Sequence, residues 1–483
     1  MARVPFARKI GPYFVKPWHL NKILHRQTRH NVPCNCYDEA QGRHHRSRPE
    51  WSRCSPRKTS FPSAKLIHQA LRQEGCFNLR VYERRSHCGG VWIHDPQPAR
   101  RKPSKIPATD PTHVDAPTCD GWPSPMYNAL VTNIPARLMA YGDRPFPEQT
   151  PMYPTRQTVL SYLEDFAKQH DLMRDIQFDT QVLSLKKSGH GWRLATQHAG
   201  EIKEETFDRV IVASGHYETP LLPDIEGIVA FDKKYPEAIG HSKYYRSPES
   251  FAGLKVVVIG NGPSGIDIVS QLAQAPGAQL PILRSIRSPS KIPAGAVQVQ
   301  DVAEIASFNA EDCSLFLKDG SRITNVDRVL FCTGYLYAFP FLDPRLGIVT
   351  DGLRLRNLYK QIFYQDDPSL AFLGMEMSIV PFPYSEAQAC YIARIWSDRL
   401  TLPPLSEMQA DEASRVAVKG DGRAFMVRAH PEDGEYIDEL RELCAEATPV
   451  IEGALMPVQW TGERFALRAQ GPALRRAWLD GKV

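Results

Sequence analysis

Two nested α/β units, each built on a parallel sheet covered by helices, are what this 483-residue sequence predicts. Three observations carry that prediction. Short apolar, β-branched runs alternate with helical patterns over most of the chain. One of them, KVVVIG at 255–260, opens straight into the turn G-N-G-P-S-G. A near-repeat, DRVIVASG at 208–215 and DRVLFCTG at 327–334, marks two related strand ends.

The first 62 residues stand apart. They are rich in Arg, His and Pro without a period, and read as a disordered arm. Residues 1–60 hold 13 lysines and arginines against 3 acids, whereas the other 423 residues carry a net −5. The basic excess therefore sits in one segment without patterned aromatics, and no nucleic-acid partner is expected. No run reaches the ~20 apolar residues of a transmembrane segment. No secretion signal is seen, and the ten cysteines form no C-x-x-C pair. Reduced cysteines in a soluble cytoplasmic protein are expected, with peripheral association at the endoplasmic reticulum left open.

From Ser63 the elements follow in order. AKLIHQALRQEG reads as a helix with Leu66, Ile67, Ala70 and Leu71 on one face and Gly75 as its stop. NLRVYERR reads as a buried strand, and the Pro-rich stretch 94–125 as a long loop. A helix returns after Thr155 through Val159, Leu160, Tyr162, Leu163 and Phe166. Strands are expected around 181–185, 192–195, 209–213, 255–260, 281–286 and 327–334. The boundaries predicted are an N-terminal segment 1–62, a first unit 63–225 and 329–483, and a second unit 226–328 inserted in it, hinged near Pro223 and Gly334.

The turn from Gly260 to Gly265 carries the clearest chemistry. Gly260 makes the tight turn, Gly262 lets backbone approach a pyrophosphate, and Gly265 lets helix and strand pack closely. Ser264 and Asp267 then stand in the opening of a helix whose free N–H groups face the phosphates, and Asp267 is read as a first-turn charge as well as a cofactor neighbour. The next strand ends in Arg284-Ser285 where an NAD site places an acid. An arginine there suits the extra ribose phosphate of NADPH, although a solvated charge is the other reading.

The first unit shows an ending without its beginning. Glu83 closes a strand as a ribose-binding acid would, and Gly89-Gly90-Val91-Trp92 follows. Upstream, where a strand and a G-x-G-x-x-G turn belong, stands DEAQGRHHRSRPEWSRCS (38–55). Permitted codons for that segment, read one base later, translate as MKHKAVIIGAGPSGLVAA: a start methionine, a strand and the complete turn. Residues 1–55 or so are therefore expected to be a misread of the gene. A genuine chain that has lost its first motif is the alternative.

With these parts placed, residues from about Ala64 to Leu402 resemble the flavin-containing monooxygenases. ERRSHCGGVW resembles the family's flavin ribose segment, and MYNALVTNIPARLMAY the segment bearing its active-site asparagine, here Asn133. FPEQTPMYPTRQTVLSYLEDFA resembles the block that follows. GHSKYYR resembles the end of the signature F-x-G-x-x-x-H-x-x-x-Y, with Tyr235 and Glu237 departing from it and His241 and Tyr245 matching. FCTGY, LYKQIFYQDDPSLAFLGM and PFPYSEAQA complete the resemblance.

The resemblance implies FAD and NADPH as cofactors, and a flavin hydroperoxide that oxygenates a soft nucleophile, an amine or sulfide, with dioxygen. It implies catalysis at Asn133, whose amide both donates and accepts without titrating; a turn residue ahead of Pro135 is the other reading of Asn133. It implies cofactor contacts at Glu83, Arg84, Gly89, Gly90, Val91, Trp92, Thr132, Asn133, Val182, Ser214, Gly215, Thr333 and Gly334, with no metal. His241 is read as a packed histidine. A Baeyer–Villiger monooxygenase on ketones is the nearest rival, and a non-catalytic NADP-binding protein the rival of another class. A homodimer is compatible with the sequence and not dictated by it.

Overall fold

The computed structural model describes residues 62–479, apart from 98–99, 101, 117–120, 143 and 290–297. The arm expected over 1–62, and the segment read in two frames, lie outside the described residues save for Pro62.

The helix Pro62–Glu74 ends at Gly75, whose φ of +72° only glycine adopts readily. Its apolar face buries Ile67, Ala70 and Leu71 against the helix Pro381–Trp396. The helix Arg156–Gln169 begins at Thr155, whose Oγ1 accepts the Thr158 N–H at 3.2 Å. Such a cap is worth about 1 kcal/mol. Val159, Tyr162, Leu163 and Phe166 carry that helix into the same core.

Five parallel strands form one sheet in the order Val299–Val302, Ile282–Ser285, Val256–Ile259, Arg328–Phe331, Ile239–His241. Its central strand is apolar on both faces because helices and loops cover both: Val256, Val257 and Val258 are all buried. The helix Pro263–Gln274 seals one side with Ile268, Val269 and Leu272. A small antiparallel sheet, Ile305–Asn309, Ser314–Leu317 and Arg322–Ile323, precedes the fourth strand in the chain. The boundary expected at 328/329 falls inside the strand Arg328–Phe331. That strand's ladder with Val256–Ile259 holds all four of its residues in this sheet.

The remaining sheets are smaller. Val81–Tyr82 pairs in parallel with Ile176–Gln177. Val210–Val212 pairs in parallel with Leu370–Phe372, which continues through Phe363–Tyr364 to Leu358–Tyr359. Among the described residues no strand joins Val81–Tyr82 to Val210–Val212. Thr180–Ser188, Gly191–His198 and Glu201–Phe207 form an antiparallel sheet. Its third strand, EIKEETF, is mostly exposed on both faces and so shows no apolar alternation to read.

Two chain connections lead into and out of the five-stranded sheet, and they pair with each other. Thr219–Pro220 runs antiparallel to Tyr335–Leu336, and the Leu221 N–H donates to the Gly334 carbonyl at 2.9 Å. The same carbonyl lies 3.1 Å from Nε2 of His241, whose Nδ1 accepts the Lys243 N–H at 3.1 Å. Burial, partly opposed by the Gly334 bond, holds this imidazole neutral, down at about 3. Glu237 stands in ordinary backbone conformation, so loss of the signature's glycine there strains nothing.

Candidate active site

A cleft of about 1970 Å³ opens between the five-stranded sheet and the helices around Trp92 and Phe382. Pockets for one small ligand usually span ~300–1,000 Å³. This one has room for two dinucleotides.

One wall is the glycine turn. Gly260 has φ +131°, and a Cβ there would stand 2.6 Å from the Cys332 carbonyl. A Cβ on Gly265 would overlap the Gly260 carbonyl, whereas Gly262 faces open space. The outer glycines thus close the turn onto strand and helix, and the middle one leaves bare backbone toward the cleft. Ser264 lines the cleft at the start of the helix Pro263–Gln274, where unpaired N–H groups favour an anion. These residues fit the diphosphate of a dinucleotide.

Two readings on this wall are corrected. Arg284 does not face the cleft. It is fully buried, with Nε and Nη2 on the Asp301 carboxylate at 2.7 and 2.9 Å and Nη1 on Asn261 Oδ1 at 3.3 Å. Strand Val299–Val302, which the sequence pattern did not reveal, places Asp301 opposite Arg284 in register. A guanidinium committed in this way presents no fork to a ribose phosphate. Ser285 and the exposed Arg287 line the cleft instead. Asp267 lines it too, but not as a first-turn charge: it stands one turn into the helix. Its carboxylate accepts from Tyr127 and from Gln271 at 3.0 Å and faces Arg475 at 3.7 Å. Burial raises its pKa.

On the opposite side Gly90, Val91, Trp92, Thr132 and Asn133 line the cleft with Phe382. The Thr132 hydroxyl donates to the Ile134 carbonyl at 2.9 Å and so stabilises the turn before Pro135. Asn133 beside it is exposed in the cleft. Gly89 does not line the cleft; a Cβ there would overlap Leu160, so it lets the helix Arg156–Gln169 approach. Val182 packs against the core around Leu185 and Trp192, away from the cleft.

Between the two walls lie Ser214, Gly215, Thr333 and Gly334. The Thr333 hydroxyl donates to the Leu221 carbonyl, locking the paired connections. Arg84 reaches the cleft over the Trp122 ring, at 4.0 Å, and is ion-paired with Glu218. Glu218 also holds the buried Lys243 at 2.7 Å. Burial alone would raise the Glu218 carboxyl, yet Arg84 and Lys243 outweigh it and hold it at about 2.

Glu83 tests the fit to a flavin. It is 1% exposed; Oε1 accepts the Arg85 N–H at 2.8 Å, and Oε2 has no partner among the described residues. Burial pushes its pKa up to about 7, partly opposed by that N–H. An orphaned carboxylate oxygen at a strand end suits ribose hydroxyls. The glycine turn that would hold the flavin's diphosphate is not among the described residues.

Sequence reading missed His216, Tyr217, Glu218 and Arg423, which also line the cleft. No local pattern singles them out; the paired connections and a distant turn bring them together.

Comparisons with known proteins agree with this geometry. The family described as "Flavin-binding monooxygenase-like" matches residues 117–287 and 277–458. The thiol-specific monooxygenase of Saccharomyces cerevisiae is 30% identical over 423 residues, covering 84% of this chain and 87% of that protein. Flavin-containing monooxygenase FMO GS-OX-like 2 of Arabidopsis thaliana is 33% identical over 434 residues, covering 85% and 88%. The solved structure of S-allyl-L-cysteine S-oxygenase from Allium sativum superposes with a TM-score of 0.72 at 28% identity, covering 88% of this chain and 93% of that one. Among the described residues no helix is long and apolar enough to cross a membrane.

Proposed function

The chain belongs to the flavin-binding monooxygenase-like family, and we propose that it uses FAD and NADPH to oxygenate a soft nucleophile, with sulfur favoured over nitrogen. One observation carries this reading: a single cleft joins the Gly260–Gly265 turn to Asn133 and Trp92. The sulfur preference is supported by the thiol-specific and S-oxygenase relatives.

A bound flavin, once reduced, supplies the activation of dioxygen. The chain's own residues do the rest. Glu83 Oε2 takes the flavin ribose. Gly262 and Ser264 would hold the diphosphate of NADPH in the turn that Gly260 and Gly265 close, and Ser285 would meet its outer ribose. Trp92 and Phe382 wall the cleft against water, which lengthens the life of reactive oxygen species. Asn133 offers an amide that donates and accepts at unchanged charge across the working pH range.

The test is NADPH oxidation by the chain that begins MKHKAVIIGAGPSGLVAA and continues at about Lys65, with a panel of thiols, thioethers, tertiary amines and ketones, product oxygen and hydrogen peroxide being counted separately. Sulfur compounds are expected to give oxygenated product. Turnover confined to ketones would overturn the substrate class, and product with NADH alone the choice of nicotinamide. Asn133→Ser is expected to keep its flavin and to divert reducing equivalents to peroxide; unchanged coupling would return Asn133 to a turn role.

A further inference from the structure

Arg423 occupies an unusual place in the cleft. It starts the short turn Arg423–Met426, far along the chain from the glycine motifs. That turn is rigidly held. Phe425 is fully buried beneath the Arg354 guanidinium, whose centre stands 4.2 Å from the ring. Arg415 donates to the Phe425 carbonyl at 2.9 and 2.7 Å and to the Val427 carbonyl at 3.1 Å. Met377 N–H donates to the Met426 carbonyl at 2.8 Å.

The Arg423 guanidinium lies against Gly334, where any Cβ would overlap it. No carboxylate among the described residues forms an ion pair with it. Asp421, two residues earlier, is taken by Arg354 and Arg356, at 2.8 and 2.7 Å. Arg287 reaches the same part of the cleft from the five-stranded sheet, and its charge acts on Arg423. A half-buried cation beside a second cation, without an acid, costs free energy until an anion joins it.

His216 supplies an independent pointer. It lines the cleft at 7% exposure, and neither ring nitrogen has a hydrogen-bond partner among the described residues. Its ring is fixed between Tyr217 and Tyr337, at 4.3 and 5.0 Å between centroids. Burial first, and the Arg423 charge second, hold the imidazole neutral, down at about 3. A neutral imidazole offers one N–H to an oxyanion.

We infer that Arg423, His216 and Arg287 form an oxyanion subsite at the seam of the cleft, shaped for one carboxylate or phosphate group. This rests on the cleft being the reaction site proposed above. Two sources present that chemistry there: a carboxylate on the sulfur substrate, and the ribose phosphate that distinguishes NADPH from NADH. Either would be gripped by a preorganised guanidinium fork with a neutral donor beside it.

The experiment is calorimetric titration of the full chain, without turnover, so that failure of the monooxygenase reading shows in the substrate panel and failure of the subsite shows here. The probes are methylthioacetate against dimethyl sulfide, and NADPH against NADH. Arg423→Gln is expected to weaken one anionic probe roughly tenfold or more, as loss of a charge-assisted hydrogen bond does, and to leave its uncharged or unphosphorylated counterpart within about twofold. His216→Phe keeps the ring stack and is expected to weaken the same probe by about threefold. Selective loss of methylthioacetate identifies a substrate carboxylate, and selective loss of NADPH the ribose phosphate. If Arg423→Gln does not fold, Arg423→Lys, which keeps the charge and loses the fork, is expected to weaken that probe by a smaller factor. Both anionic probes unchanged in the folded variants would overturn the subsite, as would equal losses for each probe and its counterpart.

Discussion

DRVIVASG and DRVLFCTG differ little as sequences and each folds into a strand that pairs in parallel, yet they meet different surroundings. Val329, Leu330 and Phe331 are all buried, because Val256–Ile259 lies on one side and Ile239–His241 on the other. Val210 and Ile211 are only half-buried, since Leu370–Phe372 is the sole neighbour among the described residues. The strand ends differ in the same sense. Arg284 closes its strand with three guanidinium nitrogens bonded. Glu83 closes its strand with an oxygen unpaired. A strand's burial and its terminal charge are satisfied by its neighbours, and among the described residues Val210–Val212 and Glu83 have fewer of them.

The sharpest way to test that difference is to supply the neighbour. A chain that begins MKHKAVIIGAGPSGLVAA and continues at Lys65 should purify with close to one flavin per molecule. The 483-residue chain should carry over tenfold less, because ladder groups left unpaired cost about 1–3 kcal/mol each and 1.4 kcal/mol is already tenfold in occupancy. Flavin absorbance per chain, measured side by side, decides it; equal and near-stoichiometric content would erase the contrast between the units.

Damaging the complete unit is the converse test. Gly260→Val forces a β-branched residue to positive φ and into the Cys332 carbonyl. Strain and overlap together should cost about 2–6 kcal/mol in denaturant unfolding and abolish NADPH binding. Gly262→Ala, which meets open space, should leave stability within about 0.5 kcal/mol while weakening the dinucleotide. Equal stability of the two variants would contradict the assignment of the outer glycines to packing.

Arg284→Ala should cost roughly 3 kcal/mol of stability, at the low end for a broken buried ion pair because Asp301 is partly exposed. The stability-corrected affinities for NADPH and NADH should fall alike. A loss confined to NADPH would put Arg284 back on the ribose phosphate.

The smallest effect concerns the other strand end. Glu83 has its folded pKa raised, to about 7, so the folded state prefers the protonated form. Its stabilising contribution is complete below the unfolded value near 4.5 and is lost as pH rises through 7. Flavin-free protein should therefore lose roughly 2–3 kcal/mol between pH 5 and 8 from this group, and Glu83→Gln should flatten that part of the profile. An identical pH profile for the two proteins would show that Oε2 has a partner after all.

Much of the fold was legible because it is written locally. The capping Thr155, the stop at Gly75, the run of valines at 256–258 and the spaced glycines at 260–265 each act over a few residues, and each folds as its pattern implies. The site was legible only where a motif carried it. Fourteen of the nineteen residues expected at the cofactors line the cleft. Of the other five, Glu83 and Gly265 are packed just behind it, while Gly89, Val182 and Arg284 serve packing or pairing elsewhere.

The sequence by itself determined the alternation of strands and helices, the phosphate-binding turn and the family, since all three follow from spacing along the chain. Tertiary structure decided which charges are free to act. Arg284 looked available until a parallel strand brought Asp301 opposite it, and Arg423 looked like any surface arginine until the fold laid it against Gly334 in the cleft that His216 lines. The physical reason is that a charge's availability depends on its distance to other charges and to water, and chain topology sets those distances.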